Sequence, residues 1–270
     1  MTLSETATGV DRIAAAFTGH GRRAALMPYL MGGFPTVADA ARVAQAYADG
    51  GADLIEFGLP FSDPLADGPV IHAAAVEALA NGAVIDRVLA SAEPIARQLP
   101  TLVMTYFNLI EAQGVDRFAG RLAEIGVSGI IAPDVPLEES AQLLAACDAN
   151  GLALVPLVAP TTPDRRIAAI CAQARGFIYT VSVLGTTGER MASAEGLAEL
   201  VGRVRAHTEL PVAVGFGISD ARQASRVADV ADGAIVGTRL VRETGERFRA
   251  GEDPAPAVEA IVREMAQAIA

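Results

Sequence analysis

Short apolar runs alternate with helix-like segments along almost the whole chain. Ala24 to Met31, Ala52 to Phe57, Leu102 to Tyr106, Ser128 to Ala132, Ala153 to Val158, Phe177 to Val181, Val212 to Val214 and Ala234 to Val236 each read as a strand. They are short and continuously apolar, as strands buried on both faces must be. Helical periodicity fills the intervals: Val37 to Ala48, Ile71 to Leu79, Val84 to Gln98, Val115 to Ile125, Leu137 to Ala149, Pro163 to Ala174, Leu197 to Ala206 and Asp220 to Ala228. Eight such units in 270 residues predict an α/β fold, a (β/α)8 TIM barrel. An amphipathic stretch from Asp11 to Phe17 adds an extra N-terminal helix, and helical Pro254 to Ala270 closes the barrel. A doubly wound open sheet is the alternative. The first strand ends in Gly32-Gly33 with no GxGxxG, which weakens the dinucleotide-binding form of that fold. With 51% hydrophobic residues and no linker or low-complexity segment, residues 1–270 are expected to form one domain.

The most chemically loaded stretch follows the second strand: Ile55-Glu56-Phe57-Gly58-Leu59-Pro60-Phe61-Ser62-Asp63-Pro64-Leu65-Ala66-Asp67-Gly68-Pro69. Three prolines stiffen this loop by fixing φ and biasing their predecessors toward extended shapes. A carboxylate at the mouth of a buried strand is desolvated, which raises its pKa toward the range of acid-base catalysis. Glu56 and Asp67 fit that description, or else they are loop charges and helix caps; Asp63, between Ser62 and Pro64, suits a turn.

Absences narrow the chemistry. All 21 basic residues are arginine, so Schiff-base catalysis by a lysine amine is excluded. His20, His72 and His207 are scattered without metal-ligand spacing, and no metal is expected. Cys147 and Cys171 lie in alanine-rich helical contexts and fit buried thiols in a reducing compartment. No apolar run approaches the roughly 20 residues that span a bilayer, and the polar N-terminus lacks a secretory layout, so the expected location is cytoplasmic. A net charge of −11 argues against nucleic acid or an anionic membrane as partner.

Late in the chain, Gly215-Phe216-Gly217-Ile218-Ser219 follows the seventh strand and Gly237-Thr238 the eighth. Loops at these two places in a barrel commonly hold a phosphate on backbone amides and a helix N-terminus. The same glycines would also serve simply to turn the chain. Leu184 to Ser193, small and glycine-rich, reads either as a lid or as an ordinary surface loop.

Glu56 with Gly58-x-Pro60-Phe61-Ser62-Asp63-Pro64-x-Ala66-Asp67-Gly68-Pro69 closely resembles the signature of the tryptophan synthase alpha chain. The resemblance continues through Tyr106-Phe107-Asn108, Pro133-Asp134-Val135-Pro136-x-Glu138-Glu139-Ser140, Thr187-Gly188 and Gly215-Phe216-Gly217-Ile218-Ser219, in order along nearly the whole chain. It implies retro-aldol cleavage of indole-3-glycerol phosphate to indole and glyceraldehyde 3-phosphate. It also implies a beta chain partner in an alpha2-beta2 heterotetramer, with pyridoxal phosphate in that partner and no cofactor in this chain.

By the same resemblance, Glu56, Asp67 and Tyr179 are catalytic, and Gly188, Phe216, Gly217, Gly237 and Thr238 bind phosphate. Tyr29, Met104, Tyr106 and Ile131 are candidates for an apolar indole pocket, though each also suits plain core, as Tyr179 does. Thr187 would couple the lid to Asp67. Two departures stand out: Val183-Leu184, where arginine and serine are common in the family, and His72, where glutamine is. A free-standing lyase and a non-catalytic phosphate-binding subunit are the competing functions.

Overall fold

A computed structural model describes residues 7–181, 194–215 and 217–270. The chain opens with α1 (Gly9–Thr18), closed at its N-terminus by a capping box in which Thr8 and Asp11 bond each other's backbone amides. Then follow β1 (Ala25–Met31), α2 (Val37–Asp49), β2 (Ile55–Gly58), α3 (Pro69–Ala80), α4 (Ile85–Gln98), β3 (Thr101–Met104), α5 (Phe107–Gln113), α6 (Val115–Glu124) and β4 (Gly129–Ile131). A 3-10 turn, Leu137–Glu139, precedes α7 (Ala141–Ala149). The second half runs β5 (Ala153–Leu154), β6 (Leu157–Val158), α8 (Asp164–Gln173), β7 (Ile178–Val181), α9 (Ala194–Arg205), β8 (Val212–Gly215), α10 (Ala221–Ala228), β9 (Gly233–Val236), α11 (Thr238–Arg249) and α12 (Pro254–Ala268).

All ladders are parallel, in the order β5-β4-β3-β2-β1-β9-β8-β7-β6. The two ends of that order are two halves of one strand, interrupted only at Val155-Pro156, so the sheet closes on itself as an eight-stranded barrel. Across the break Val155 donates to the Ile130 carbonyl at 2.9 Å, and the Pro156 carbonyl accepts from Tyr179 at 3.1 Å. Ladder partners run from Tyr29 through Glu56, Leu102 and Gly129 to Ala153, and from Leu157 through Tyr179, Ala213 and Gly233 to Ala25. The path slips four residues between Ala153 and Leu157 and four more between Ala25 and Tyr29. A stagger of eight for eight strands is the geometry of a TIM barrel.

The expected doubly wound alternative is thereby set aside. Three local expectations change as well. The helix read over Leu137 to Ala149 breaks at Ser140, whose hydroxyl turns back to the Leu137 carbonyl at 2.8 Å. Helices α5 and α11 appear where the sequence reading marked none. Helix α12 packs against α2, α10 and α11, so it completes the outer helical ring, while the strands close the barrel themselves.

Helix α1 plugs the floor. Phe17 meets Phe177 with ring centroids 5.3 Å apart and lies against Gly233, both at the N-terminal ends of their strands. With that end filled, the C-terminal end is the open mouth. Among the described residues no helix is long and apolar enough to cross a membrane.

Candidate active site at the barrel mouth

Strand β2 carries Glu56 into the barrel. Lateral partners in a ladder share a face, so Glu56 points the same way as Tyr29 of β1 and Leu102 of β3. Tyr179, in register with Leu157 and Ala213, approaches from the opposite side of the barrel, and the phenols of Tyr29 and Tyr179 both feel the charges of Glu56 and Asp67. Two glycines make room for these rings. A Cβ on Gly58 would overlap the Tyr29 hydroxyl, and a Cβ on Gly215 would overlap that of Tyr179.

Glu56 is 1% exposed, and its Oε2 has no hydrogen-bond partner among the described residues. Burial, reinforced by the charge of Asp67, pushes its pKa up to about 8. A buried polar atom without a partner costs stability, so its presence at a mouth marks a site kept for something other than folding.

The proline-rich loop after β2 brings Asp67 over the same mouth. Asp63 is exposed and takes the Ser62 hydroxyl at 2.6 Å, the local turn role expected of it. Leu65 is 81% exposed. Asp67 is half-buried. Burial pushes its pKa up to about 6, against the pull of a hydrogen bond from Tyr106 and of His72 in the first turn of α3. His72, one of the family departures, therefore acts on the candidate site electrostatically.

Met104 and Ile131 are ladder partners of each other, and Met104 is also the partner of Gly58, so they form the next level above Glu56 on the same face as Tyr29. All three are buried, and together they present a largely apolar wall beside Glu56. Leu157, on that face beside Tyr179, belongs to the same wall. It was not among the residues expected to line the pocket, because a continuously apolar strand gives no alternation from which its inward face can be read. Tyr106 differs from them: its hydroxyl accepts the Ala66 amide at 3.0 Å and serves Asp67.

The two glycine loops after β8 and β9 also differ. Gly217 takes φ +86°, a left-handed conformation that glycine adopts without strain. Helix α10 beyond it is capped from within: Asp220 accepts the Gln223 amide at 2.7 Å, and the Gln223 side chain accepts the Ser219 amide at 2.7 Å. Helix α11 begins on Gly237 with no side-chain cap, and the Arg239 guanidinium is turned back to Glu243 at 2.6 Å. Of these two N-termini, that of α11, at Gly237 and Thr238, is the one without a side-chain cap among the described residues. The expected phosphate ligands Gly188 and Phe216, the coupling residue Thr187, the lid and Val183-Leu184 lie outside the described residues.

Comparison with known proteins agrees with this layout. The profile of the family described as tryptophan synthase alpha chain matches residues 17–270. The tryptophan synthase alpha chain of Methanosarcina mazei is 46% identical over 245 residues, 90% of this chain and 88% of its own. That of Streptomyces avermitilis is 46% identical over 253 residues, 93% of this chain and 89% of its own. A structure of Mycobacterium tuberculosis tryptophan synthase superposes with a TM-score of 0.88 at 38% identity, covering 97% of this chain and 98% of the other. Tryptophan synthase subunit alpha from Legionella pneumophila superposes with a TM-score of 0.87 at 33% identity, covering 97% and 98%.

Proposed function

This chain belongs to the tryptophan synthase alpha chain family, and on that premise we propose how its barrel mouth cleaves indole-3-glycerol phosphate to indole and D-glyceraldehyde 3-phosphate. With no lysine to form an imine, the electrons of the breaking carbon-carbon bond must be received by the indole ring itself. The ring can receive them once C3 is protonated and the nitrogen carries positive charge.

The observation that carries the assignment is the Glu56 carboxyl, buried in the mouth with Oε2 unpartnered among the described residues and close enough to Asp67 to feel its charge. Burial raises both carboxyls, Glu56 to about 8 and Asp67 to about 6, and so gives the two neighbours different protonation states. Near pH 7 Glu56 holds its proton and Asp67 is ionised. Glu56 gives that proton to C3, and Asp67 accepts the indole N–H and balances the charge developing there. The new Glu56 carboxylate then takes the proton of the adjacent side-chain hydroxyl. The carbonyl forms, the C3 bond breaks, its electron pair restores the indole, and Glu56 is protonated again. Tyr179, kept neutral by burial and by both carboxylates, is available to donate a hydrogen bond near the reacting carbons. Tyr29, Met104 and Ile131 would flank the ring. The phosphate would rest on Gly217, Gly237 and Thr238, together with Gly188 and Phe216.

The family's partner is a beta chain, and an alpha2-beta2 heterotetramer is part of the proposal, with pyridoxal phosphate in the beta chain. The exposed Leu65, in the loop that carries Asp67, supports docking on this face. Thr187 would couple that docking to Asp67. A cytoplasmic setting is supported by two cysteines that are buried and unpaired.

The test is the pH profile of kcat/KM for indole-3-glycerol phosphate. It should be a bell, with an acid limb at about 6 and an alkaline limb at about 8. Glu56→Gln should lower kcat by roughly 10² to 10⁴, the usual share of an acid-base group, or more if both transfers fail together. Near-normal turnover of that variant would remove the mechanism.

A further inference from the structure

Tyr106 stands immediately before α5, and its surroundings are specific. The amide of the next residue, Phe107, donates to both oxygens of Asp134 at 3.0 and 3.1 Å, which anchors the backbone to the loop after β4. The ring is buried and stacks on Phe61 of the strand-2 loop, with centroids 5.3 Å apart and planes 27° from parallel. The hydroxyl accepts the Ala66 amide at 3.0 Å and hydrogen-bonds the Asp67 carboxylate. A phenol has one proton to give and lone pairs to receive. With Ala66 donating to it, the single proton goes to Asp67. Ring and hydroxyl are thus both committed to the loop that carries Asp67.

We infer that Tyr106 is a positioning residue for the cleavage reaction: its hydroxyl, fixed by the Ala66 amide, and its ring, stacked on Phe61, hold the loop so that the Asp67 carboxylate is aimed at the indole nitrogen. The inference rests on the assignment of Asp67 proposed above. Asp67 needs such help because burial opposes its charge. Glu56 on β2 and the phenols of Tyr29 on β1 and Tyr179 on β7 also face it and feel that charge, but near neutral pH all three are uncharged. Two groups favour the ionised form, and the Tyr106 hydrogen bond acts more strongly than His72 on α3. Asp134 raises the Tyr106 phenol, which burial and Asp67 push up further. The hydroxyl therefore stays protonated and remains a donor.

Tyr106→Phe deletes the donor and keeps the stack on Phe61. In the enzyme with its beta chain, kcat for indole-3-glycerol phosphate should fall about 10- to 100-fold, as expected for losing a hydrogen bond to a charged group. KM should change far less. The acid limb of the pH profile should move up by about one unit, since a more weakly held carboxylate ionises later. In an Asp67→Asn background the same substitution should change turnover by less than about two-fold, because the group it acts through is already gone. Circular dichroism and indole titration of Tyr106→Phe establish that barrel and pocket are intact. An unmoved acid limb, or an equal loss in the Asp67→Asn background, would overturn the inference and return Tyr106 to the pocket wall. Near-normal turnover of Asp67→Asn alone would instead overturn the Asp67 assignment and this inference with it. An inactive Asp67→Asn beside an unaffected Tyr106→Phe would remove this inference only.

Discussion

Replacing Glu56 by Gln should abolish most activity and, at alkaline pH, make the protein more stable. The carboxyl group has an ordinary value of 4.5 and is pushed up to about 8 in the barrel, chiefly by burial. A raised pKa means that the folded chain holds this proton more tightly than the unfolded chain. Below about pH 4.5 both states are protonated and the site costs nothing. As pH rises through the window from about 4.5 to about 8, the unfolded chain ionises freely while the folded chain resists, and wild-type stability is lost. Linkage gives a penalty of about 2 kcal/mol at pH 6 and about 5 kcal/mol at pH 9. Gln carries no charge and escapes the pH-dependent part. Its amide also brings unpartnered donors, but that cost is the same at both pH values and cancels in the comparison. Asp67 titrates in both proteins and drops out to first order. The stability gap between variant and wild type should therefore move in favour of Gln by about 3 kcal/mol from pH 6 to pH 9, or roughly 6–12 °C in Tm for a chain of this size. Urea unfolding of both proteins at the two pH values measures it. Parallel stabilities across that range would show that Glu56 ionises normally, and the acid-base assignment would fall with it.

Two further outcomes concern the glycines. Gly217→Val should raise KM for indole-3-glycerol phosphate, because a branched side chain is forced into a left-handed backbone at the proposed phosphate site, while binding of free indole stays nearly unchanged; equal weakening of both ligands in titration would move the phosphate elsewhere. Gly58→Ala should cost about 1–3 kcal/mol in denaturant unfolding and lower turnover, because the new methyl collides with the Tyr29 phenol; a variant of unchanged stability and rate would mean that Tyr29 has room to move aside.

The barrel strands were legible because each is a short apolar run closed by a turn, and burial on both faces leaves little else for such a run to do. Strand five shows the limit of that reading. Ala153 to Val158 looks continuous, yet Pro156 has no amide to give a ladder, and the strand divides there while its carbonyl still accepts from Tyr179. Helix α11 was illegible for the opposite reason. Its sequence is dominated by charge and contains Gly245, and only Leu240, Val241, Glu243, Thr244 and Gly245 turn inward. Its Arg239, Glu243 and Arg247 interlock at four-residue spacing along the helix, a pattern that supports a helix without making it apolar.

At the site, Glu56 was legible as a charge inside an apolar strand. The direction of a hydroxyl was not: nothing in Tyr106-Phe107-Asn108 says whether the phenol looks at a ligand or at Ala66, because that depends on how the strand-2 loop folds over it. The phosphate loops fall between these cases. Both are glycine-rich and both precede a helix, so they look equivalent as anion sites. Asp220-x-x-Gln223 breaks the tie, since a short acceptor followed three residues later by Gln is the pattern of a helix that caps itself. Helix α10 commits the Gln223 amide, and the Ser219 amide just before it, to its own side chains, whereas α11 starts at a glycine that has none to offer. Among the described residues, an anion at this mouth would compete with side-chain hydrogen bonds at α10 and with none at the start of α11. That difference favours Gly237 and Thr238 as anion donors in the proposed phosphate site, beside Gly217, whose missing side chain leaves room.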